Sequence, residues 1–198
     1  MPSQKDLLLR RIVVSGPIGS GKSEVGKLLA ARGATVIDAD EIGHAVLEPS
    51  GGAYDPVAER WPEVVVDGRI DRSALAGIVF ADRNELRTLE AITHPLIARR
   101  IVATVGTVPE GTVVVELPLT VDLIGESWHR LVIVADAQTR LRRAVARGMD
   151  TSDALRRMAA QPPIDVWEAS GDSVIVNDGD RAELERSVER WWRRHVAA

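Results

Sequence analysis

Residues 11–33, "RIVVSGPIGSGKSEVGKLLAARG", decide the fold. The run 11–15 is β-branched and apolar almost throughout, as expected of a strand that is buried on both faces. A glycine-rich loop follows it, and the segment after the loop has the apolar spacing of a helix. A buried strand that leads through such a loop into a helix is typical of a parallel α/β sheet.

The loop fills every fixed position of the pattern G-x-x-x-x-G-K-[ST]. Its glycines let successive backbone N–H groups turn toward phosphate oxygens, and the helix that follows directs the positive end of its dipole there. We therefore predict that a nucleoside triphosphate binds to Gly16, Pro17, Ile18, Gly19, Ser20, Gly21, Lys22 and Ser23. Lys22 would reach the β- and γ-phosphates, and the Ser23 hydroxyl would be a ligand of Mg²⁺. The alternative is a glycine-rich turn that binds nothing.

The remaining strands and helices can be placed around this loop. Four more apolar runs are predicted as strands, at 34–38, 112–117, 130–135 and 173–177. Together they indicate an α/β fold of the P-loop type, with a five-stranded parallel sheet and helices on both faces. A closing helix is predicted from residue 181 onward, with Asp178 or Asp180 as its N-cap.

The interval between the second and third strands is too long for a simple crossover helix. It contains helix patterns at 73–80 and 84–105 and a turn at "VDGR", residues 66–69. We interpret it as an inserted, mostly helical subdomain within about 41–111. The chain is thus predicted to be one domain of 1–198, with a core of 1–40 and 112–198.

Composition limits the classes of partner. The chain has 25 Lys and Arg against 29 Asp and Glu, and this net charge of -4 argues against a protein that coats nucleic acid. It has no cysteine, which excludes disulfides, thiolate metal sites and cysteine nucleophiles. No apolar run reaches the ~20 residues of a membrane-spanning helix. We therefore expect a cytoplasmic protein with small-molecule partners and no membrane partner.

Two acidic positions at strand ends are candidates for the reaction. Asp38 and Asp40 follow the second strand, where doubly wound sheets place their ligands, so Asp40 could accept a hydroxyl proton. Asp40 could equally be the N-cap of the helix that follows. Glu116 ends the third strand, where a carboxylate would meet the magnesium shell, or it could simply face solvent.

A positively charged segment follows the fourth strand. Residues 140–157 contain six arginines and two aspartates. Arg143 and Arg147 are four residues apart, so on a helix they share a face and could both reach an anion. A solvated basic helix face is the alternative interpretation.

The ordered motifs "GxxGSGKS", "VIDAD", "VLEP", "DGRIDRSALAGIVF", "LEAITHPLI", "ELPL" and "VNDG" resemble those of the dephospho-CoA kinase family. The resemblance covers about 11–179. It implies ATP-dependent phosphorylation of the ribose 3′-hydroxyl of dephospho-CoA, with Mg²⁺, to give CoA and ADP as the last step of coenzyme A biosynthesis. It also implies a strand order of 2-3-1-4-5 and an arginine-bearing lid at about 140–165.

The resemblance further implies roles for particular residues. Asp40 would orient or deprotonate the acceptor, and His94 and Pro118 would help to bind it. Lys22, Arg143 and Arg147 would neutralise charge during transfer, Ser23 and Glu116 would hold the metal, and Asn177 would border the adenine. His94 could instead be only a satisfied hydrogen-bonding residue, and "VNDG" an ordinary turn. Pro95 is expected in the first turn of a helix, where proline is tolerated.

The lid segment departs from the family pattern. Gly148 stands where the family generally has aspartate, Arg140 replaces a glutamine, and a basic residue beyond Gln161 is missing. These departures leave two alternatives open. The chain could be another small-molecule or nucleoside monophosphate kinase on the same scaffold, or a nucleotide-binding paralogue with impaired catalysis.

Overall fold

The fold was analysed in a computed structural model, which describes residues 10–117 and 128–197. The strands are β1 Arg10–Ser15, β2 Thr35–Asp38, β3 Val65–Val66, β4 Arg69–Ile70, β5 Thr112–Glu116, β6 His129–Val134 and β7 Ser173–Val176. The helices are α1 Lys22–Ala30, α2 Ala39–Val46, α3 Tyr54–Arg60, α4 Arg72–Val79, α5 Arg83–Gly106, α6 Ala137–Ala146, α7 Thr151–Ala160, α8 Ile164–Ala169 and α9 Arg181–His195, with a 3₁₀ turn at Pro62–Val64. The chain divides into two compact units, one formed by residues 1–38 and 107–198 and the other by Ala39–Gly106.

A five-stranded parallel sheet forms the centre of the larger unit. Its order is β2-β5-β1-β6-β7, which confirms the 2-3-1-4-5 order expected for the five core strands. The central strand β1 pairs with β5 on one side and β6 on the other, so that Val14 lies opposite both Glu116 and Leu131. The loop after β1 therefore emerges at the carboxyl edge of the sheet, between two other strand ends.

Apolar side chains cover both faces of this sheet. One cluster joins Val14, Val114 and Ile133 to Leu29 of α1 and Val188 of α9. A smaller cluster contains Val132, Val134 and Trp167, with Ile164 packed against them. Burial on both faces explains why the core strands are apolar almost throughout rather than alternating.

The C-terminal helix begins with a complete capping box. The Asp180 carboxylate accepts the Glu183 backbone N–H at 2.8 Å, and the Glu183 side chain accepts the Asp180 N–H. Asp180, rather than Asp178, is therefore the N-cap of α9. Trp191 is buried at 6% exposure and Trp192 is half-buried, as expected of packing residues.

The smaller unit is helical and has its own core. The buried side chains Val57, Trp61, Val64 and Leu75 form one cluster with residues of α2 and α5. A two-residue hairpin at 67–68 joins β3 to β4, and both of its residues have positive φ, 49° and 73°, as a type I′ turn requires. The predicted turn at "VDGR" is thus confirmed.

Two expectations for the smaller unit are wrong. Pro95 lies inside the 24-residue helix α5 and not in a first turn, so its missing N–H removes one hydrogen bond within a helix that packs against α2, α3 and α4. Helix α2 begins at Ala39, which places Asp40 in its first turn and not at the N-cap.

Candidate active site

The glycine-rich loop passes directly from β1 into α1. Gly21 is the N-cap of α1 and has left-handed dihedral angles, φ 100° and ψ 22°. Gly19 has φ 78°, and a Cβ atom there would lie 2.4 Å from the carbonyl oxygen of Arg140. A side chain at position 19 would therefore clash with the backbone of α6, so both its dihedral angles and this close approach require glycine. The open helix N-terminus leaves backbone N–H groups for an anion.

Lys22 lies in the first turn of α1 and bonds to the loop itself. Its Nζ atom donates to the Gly16 carbonyl at 2.9 Å and is 3.4 Å from that of Pro17. The ammonium group is thus held beside the loop that would contain the phosphates.

Ser23 and Glu116 meet at the carboxyl edge of the sheet. The Ser23 hydroxyl donates to Glu116 Oε1 at 2.7 Å. The pairing of β1 with β5 sets this distance, because it places the end of β5 next to the strand that enters the loop. A hydroxyl and a carboxylate from residues 93 apart form an all-oxygen donor set, of the type that Mg²⁺ prefers.

The loop after β7 is bonded to the glycine-rich loop. Asn177 is only 4% exposed, and its Nδ2 atom donates to the Ser20 carbonyl at 2.8 Å. Arg143 of α6 donates to the Asn177 carbonyl at 2.8 Å, with weaker contacts to Asn177 Oδ1 and the Gly179 carbonyl at 3.3 Å. Burial lowers the pKa of Arg143, although it remains a cation at neutral pH.

The two arginines predicted to act together have different surroundings. Arg143 is half-buried against the loop after β7, whereas Arg147 is exposed at the end of α6. Arg147 lines a cleft of about 520 Å³ together with Ile18, Met149 and Asp153. This cleft adjoins the glycine-rich loop at Ile18.

Gly148 has a structural explanation. It ends α6 with φ 91°, and no atom lies within 4 Å of a Cβ added there. The N–H of Met149 bonds back to the Ala144 carbonyl, so Gly148 occupies the left-handed position at which helices commonly end. Asp150 then caps α7 by accepting the N–H groups of Ser152 and Asp153. The departure from the family pattern at 148 is therefore compatible with a well-formed helix pair.

The sequence did not predict that Gln161 would contact the glycine-rich loop. The Gln161 side-chain carbonyl, at the end of α7, accepts the Ile18 N–H at 2.9 Å. Sequence reasoning also missed the burial of Arg140, which is 8% exposed although it lies in an arginine-rich segment. No local signal marks the first contact, because its partners are 143 residues apart. The second could have been suspected, because Arg140 and Arg143 share a helix face.

Two predicted residues belong to the smaller unit. Asp40 is an exposed residue in the first turn of α2, and His94 is half-buried in the middle of α5. Pro118 lies outside the described residues. Within the described residues, no helix has the length and apolar character to cross a membrane.

The sequence was compared with protein families and characterised proteins. The dephospho-CoA kinase family model matches residues 10–183. A dephospho-CoA kinase of Frankia casuarinae is 40% identical over 184 residues, which cover 90% of this chain and 80% of the relative. One of Geobacter sulfurreducens is 38% identical over 194 residues, with 91% of this chain and 96% of the relative covered.

Solved structures share the fold of this chain. The crystal structure of TT1252 from Thermus thermophilus superposes with a TM-score of 0.82 at 32% identity, covering 94% of this chain and 99% of that one. Dephospho-CoA kinase from Campylobacter jejuni gives a TM-score of 0.68 at 21% identity, covering 96% and 98%, which shows the shared fold. Because the family model matches residues 10–183 and relatives of 40% and 38% identity cover 90% or more of this chain, the chain belongs to the dephospho-CoA kinase family.

Proposed function

We propose that this protein transfers the γ-phosphoryl group of ATP to the ribose 3′-hydroxyl of dephospho-CoA and releases CoA and ADP. The observation that carries the proposal is the complete glycine-rich loop at the carboxyl edge of the sheet, with Lys22 and the Ser23–Glu116 pair in place, in a chain of this family. The proposed partners are ATP and dephospho-CoA, and no nucleic acid or membrane is part of the proposal.

The reaction exchanges one phosphate ester bond for another. The acceptor hydroxyl oxygen forms a bond to the γ-phosphorus, the bond from that phosphorus to the β,γ-bridging oxygen breaks, and the acceptor proton leaves for a base or water. The protein contributes positioning and electrostatic stabilisation more than covalent chemistry. Lys22 and the N–H groups of the glycine-rich loop are suited to neutralising the phosphate charge, except those of Ile18 and Ser20, which are bonded to Gln161 and Pro17.

Magnesium fits the residues present. Ser23 and Glu116 would hold it, and it would neutralise charge on the phosphates of the nucleotide. The hydrogen bond between Ser23 Oγ and Glu116 Oε1 holds these two oxygen atoms 2.7 Å apart without a metal, so the pair is preorganised.

The proposed role of Asp40, which is to orient or deprotonate the acceptor hydroxyl group, rests on the resemblance of "VIDAD" to the family motif. The Asp40 carboxylate lies exposed in the first turn of α2. A charged carboxylate can orient a hydroxyl group and receive its proton. His94 and Pro118 are proposed to bind the acceptor on the same grounds, and Arg143, Arg147 and Asn177 to border the nucleotide.

The proposal is tested by measuring ADP release with ATP and Mg²⁺ in the presence of dephospho-CoA, AMP, CMP, pantothenate or no acceptor. We expect turnover with dephospho-CoA alone. Faster turnover with a nucleoside monophosphate would replace the proposal by another kinase activity. Nucleotide binding without turnover on any acceptor would identify a paralogue that has lost its chemistry.

A second experiment tests Asp40 separately. We expect Asp40→Asn to lower kcat by roughly 10²–10⁴-fold, the usual contribution of a general base, with little change in ATP affinity. Asp55→Asn, at an exposed acidic residue in the first turn of α3, is the matched control. Unchanged kcat in Asp40→Asn would exclude the proposed role.

A further inference from the structure

Arg140 is the one charged residue that is buried in the part of the chain that the structure describes. Its side chain is 8% exposed, whereas Arg142 and Arg147 on the same segment are exposed. Arginine is almost never buried without a partner, because removing its charge from water is unfavourable. The position of Arg140 therefore needs an explanation.

Within the described residues, no side chain forms an ion pair or a hydrogen bond with the Nε atom of Arg140. The Nε atom of Arg140 is inaccessible to solvent and has no hydrogen-bond partner. Asp136 is one turn earlier on the same helix, but its carboxylate accepts the Thr139 N–H and caps α6. Burial lowers the pKa of Arg140 below its ordinary value, and the charge of Asp136 offsets this only in part.

Arg140 lies where α6 packs against the glycine-rich loop. The backbone of Arg140 lies so close to Gly19 that a Cβ atom added to Gly19 would be 2.4 Å from the Arg140 carbonyl oxygen. The next loop residue, Ser20, is also fully buried, and its Oγ atom likewise has no partner. Two side-chain polar groups without partners thus come from adjoining parts of the loop and α6.

The direction of the helix places the guanidinium group near the strand ends. Helical side chains lean toward the helix N-terminus, which for Arg140 is the end capped by Asp136. That end follows the carboxyl edge of β6, the edge at which parallel α/β sheets bind their ligands. The charge of Asp136 acting on Arg140 agrees with this direction.

We infer that Arg140 is a further nucleotide-binding residue, whose guanidinium group pairs with phosphate oxygens of the nucleotide that the glycine-rich loop holds. The phosphates of the nucleotide would supply the negative charge that no side chain places next to the Nε atom of Arg140. A guanidinium group can bind phosphate through two parallel hydrogen bonds. The inference rests on the proposed nucleotide binding, and not on the identity of the acceptor.

The experiment measures ADP and ATP binding by calorimetry, without any acceptor, for the wild type, Arg140→Gln and Arg140→Met. Arg142→Gln, an exposed arginine two residues further along α6, is the matched control. Melting temperatures of each protein are recorded with and without ATP. This design separates loss of nucleotide contacts from loss of stability.

We expect Arg140→Gln and Arg140→Met to raise Kd for ATP by roughly 10-fold or more, the scale of one charge-assisted contact, while Arg142→Gln binds as the wild type does. The two variants should melt no lower than the wild type when free, because they remove a buried charge without a partner, yet gain less from ATP. Unchanged ATP affinity, or a lower melting temperature of the free variants with normal affinity, would overturn the inference and show a packing role. Weakened nucleotide binding in a protein that does not phosphorylate dephospho-CoA would sustain the inference and reject only the proposed function.

Discussion

The glycine-rich loop and helix α6 both provide groups suited to an anion, but they do so by different means. The loop uses backbone N–H groups and glycine dihedral angles, which its own sequence determines. Helix α6 and its C-cap provide three arginine side chains, and packing gives each a different environment: Arg140 is buried with its Nε atom unpartnered, Arg143 bonds to the loop after β7, and Arg147 is exposed. A candidate site formed by backbone N–H groups of one loop can therefore be predicted from the sequence of that loop. The environments of the arginine side chains cannot, because they depend on tertiary contacts.

The largest effect is expected when Lys22, the cation of the glycine-rich loop, is removed. We expect Lys22→Ala to lower kcat by roughly 10²–10³-fold, because one preorganised donor to the developing charge is lost. Steady-state kinetics with dephospho-CoA measures this. Lys27→Ala, an exposed lysine further along α1, should leave kcat unchanged. Equal activity in Lys22→Ala and the wild type would mean that the loop does not act on the phosphates as we describe.

The contact between the loop and α6 can be broken at Gly19. We expect Gly19→Ala to reduce the free energy of unfolding by about 1–3 kcal/mol, from the positive φ and the clash with Arg140, and to weaken ATP binding as well. Urea unfolding with and without ATP measures both effects. Gly77→Ala, which meets no atom within 4 Å, is the control. A variant at position 19 as stable as the wild type would show that the loop and α6 do not pack closely.

The loop after β7 connects the two regions through Asn177. We expect Asn177→Ala to cost about 1–3 kcal/mol of unfolding free energy, because it leaves the buried Ser20 carbonyl without its donor. A double-mutant cycle with Arg143→Ala measures the contact of Arg143 with the Asn177 side-chain oxygen at 3.3 Å, because the bond to the Asn177 carbonyl survives the substitution at 177. We expect a small coupling, and strictly additive effects would show that this side-chain contact contributes nothing.

The smallest expected effect is a pH dependence of stability that arises from His129, at the amino end of β6. Burial lowers the pKa of His129, more than nearby Asp172 raises it, so the folded state binds a proton less readily than the unfolded one. Stability should therefore fall as pH falls below about 6.5, the ordinary value for histidine, until the lower folded pKa is reached. Unfolding free energies between pH 5 and 8 measure this slope, and His129→Gln should flatten it. The same slope in both proteins would assign it to another group.

Much of this architecture could be predicted from the sequence. Strands buried on both faces have continuous apolar runs, and the loop motif has fixed positions, so the residues themselves predict the five-stranded sheet and the candidate phosphate-binding residues. The strand order is implied only by the resemblance to the dephospho-CoA kinase family. Pro95 was misplaced because packing against α2, α3 and α4 overrides the preference of proline for a first turn. The contact of Gln161 with Ile18 could not be predicted, because it depends on how α7 packs against a loop far away in the chain. The burial of Arg140 also depends on packing against that loop, although the helix face that it shares with Arg143 is a local signal for it.

The central claim is that the phosphate goes to one particular hydroxyl group. The most direct test is to incubate the protein with ATP, Mg²⁺ and dephospho-CoA and to identify the product by mass spectrometry and ³¹P NMR against authentic CoA. The account predicts one new phosphomonoester, at the ribose 3′-oxygen, formed in a 1:1 ratio with ADP. ADP with inorganic phosphate, or a phosphomonoester at another position, would contradict it.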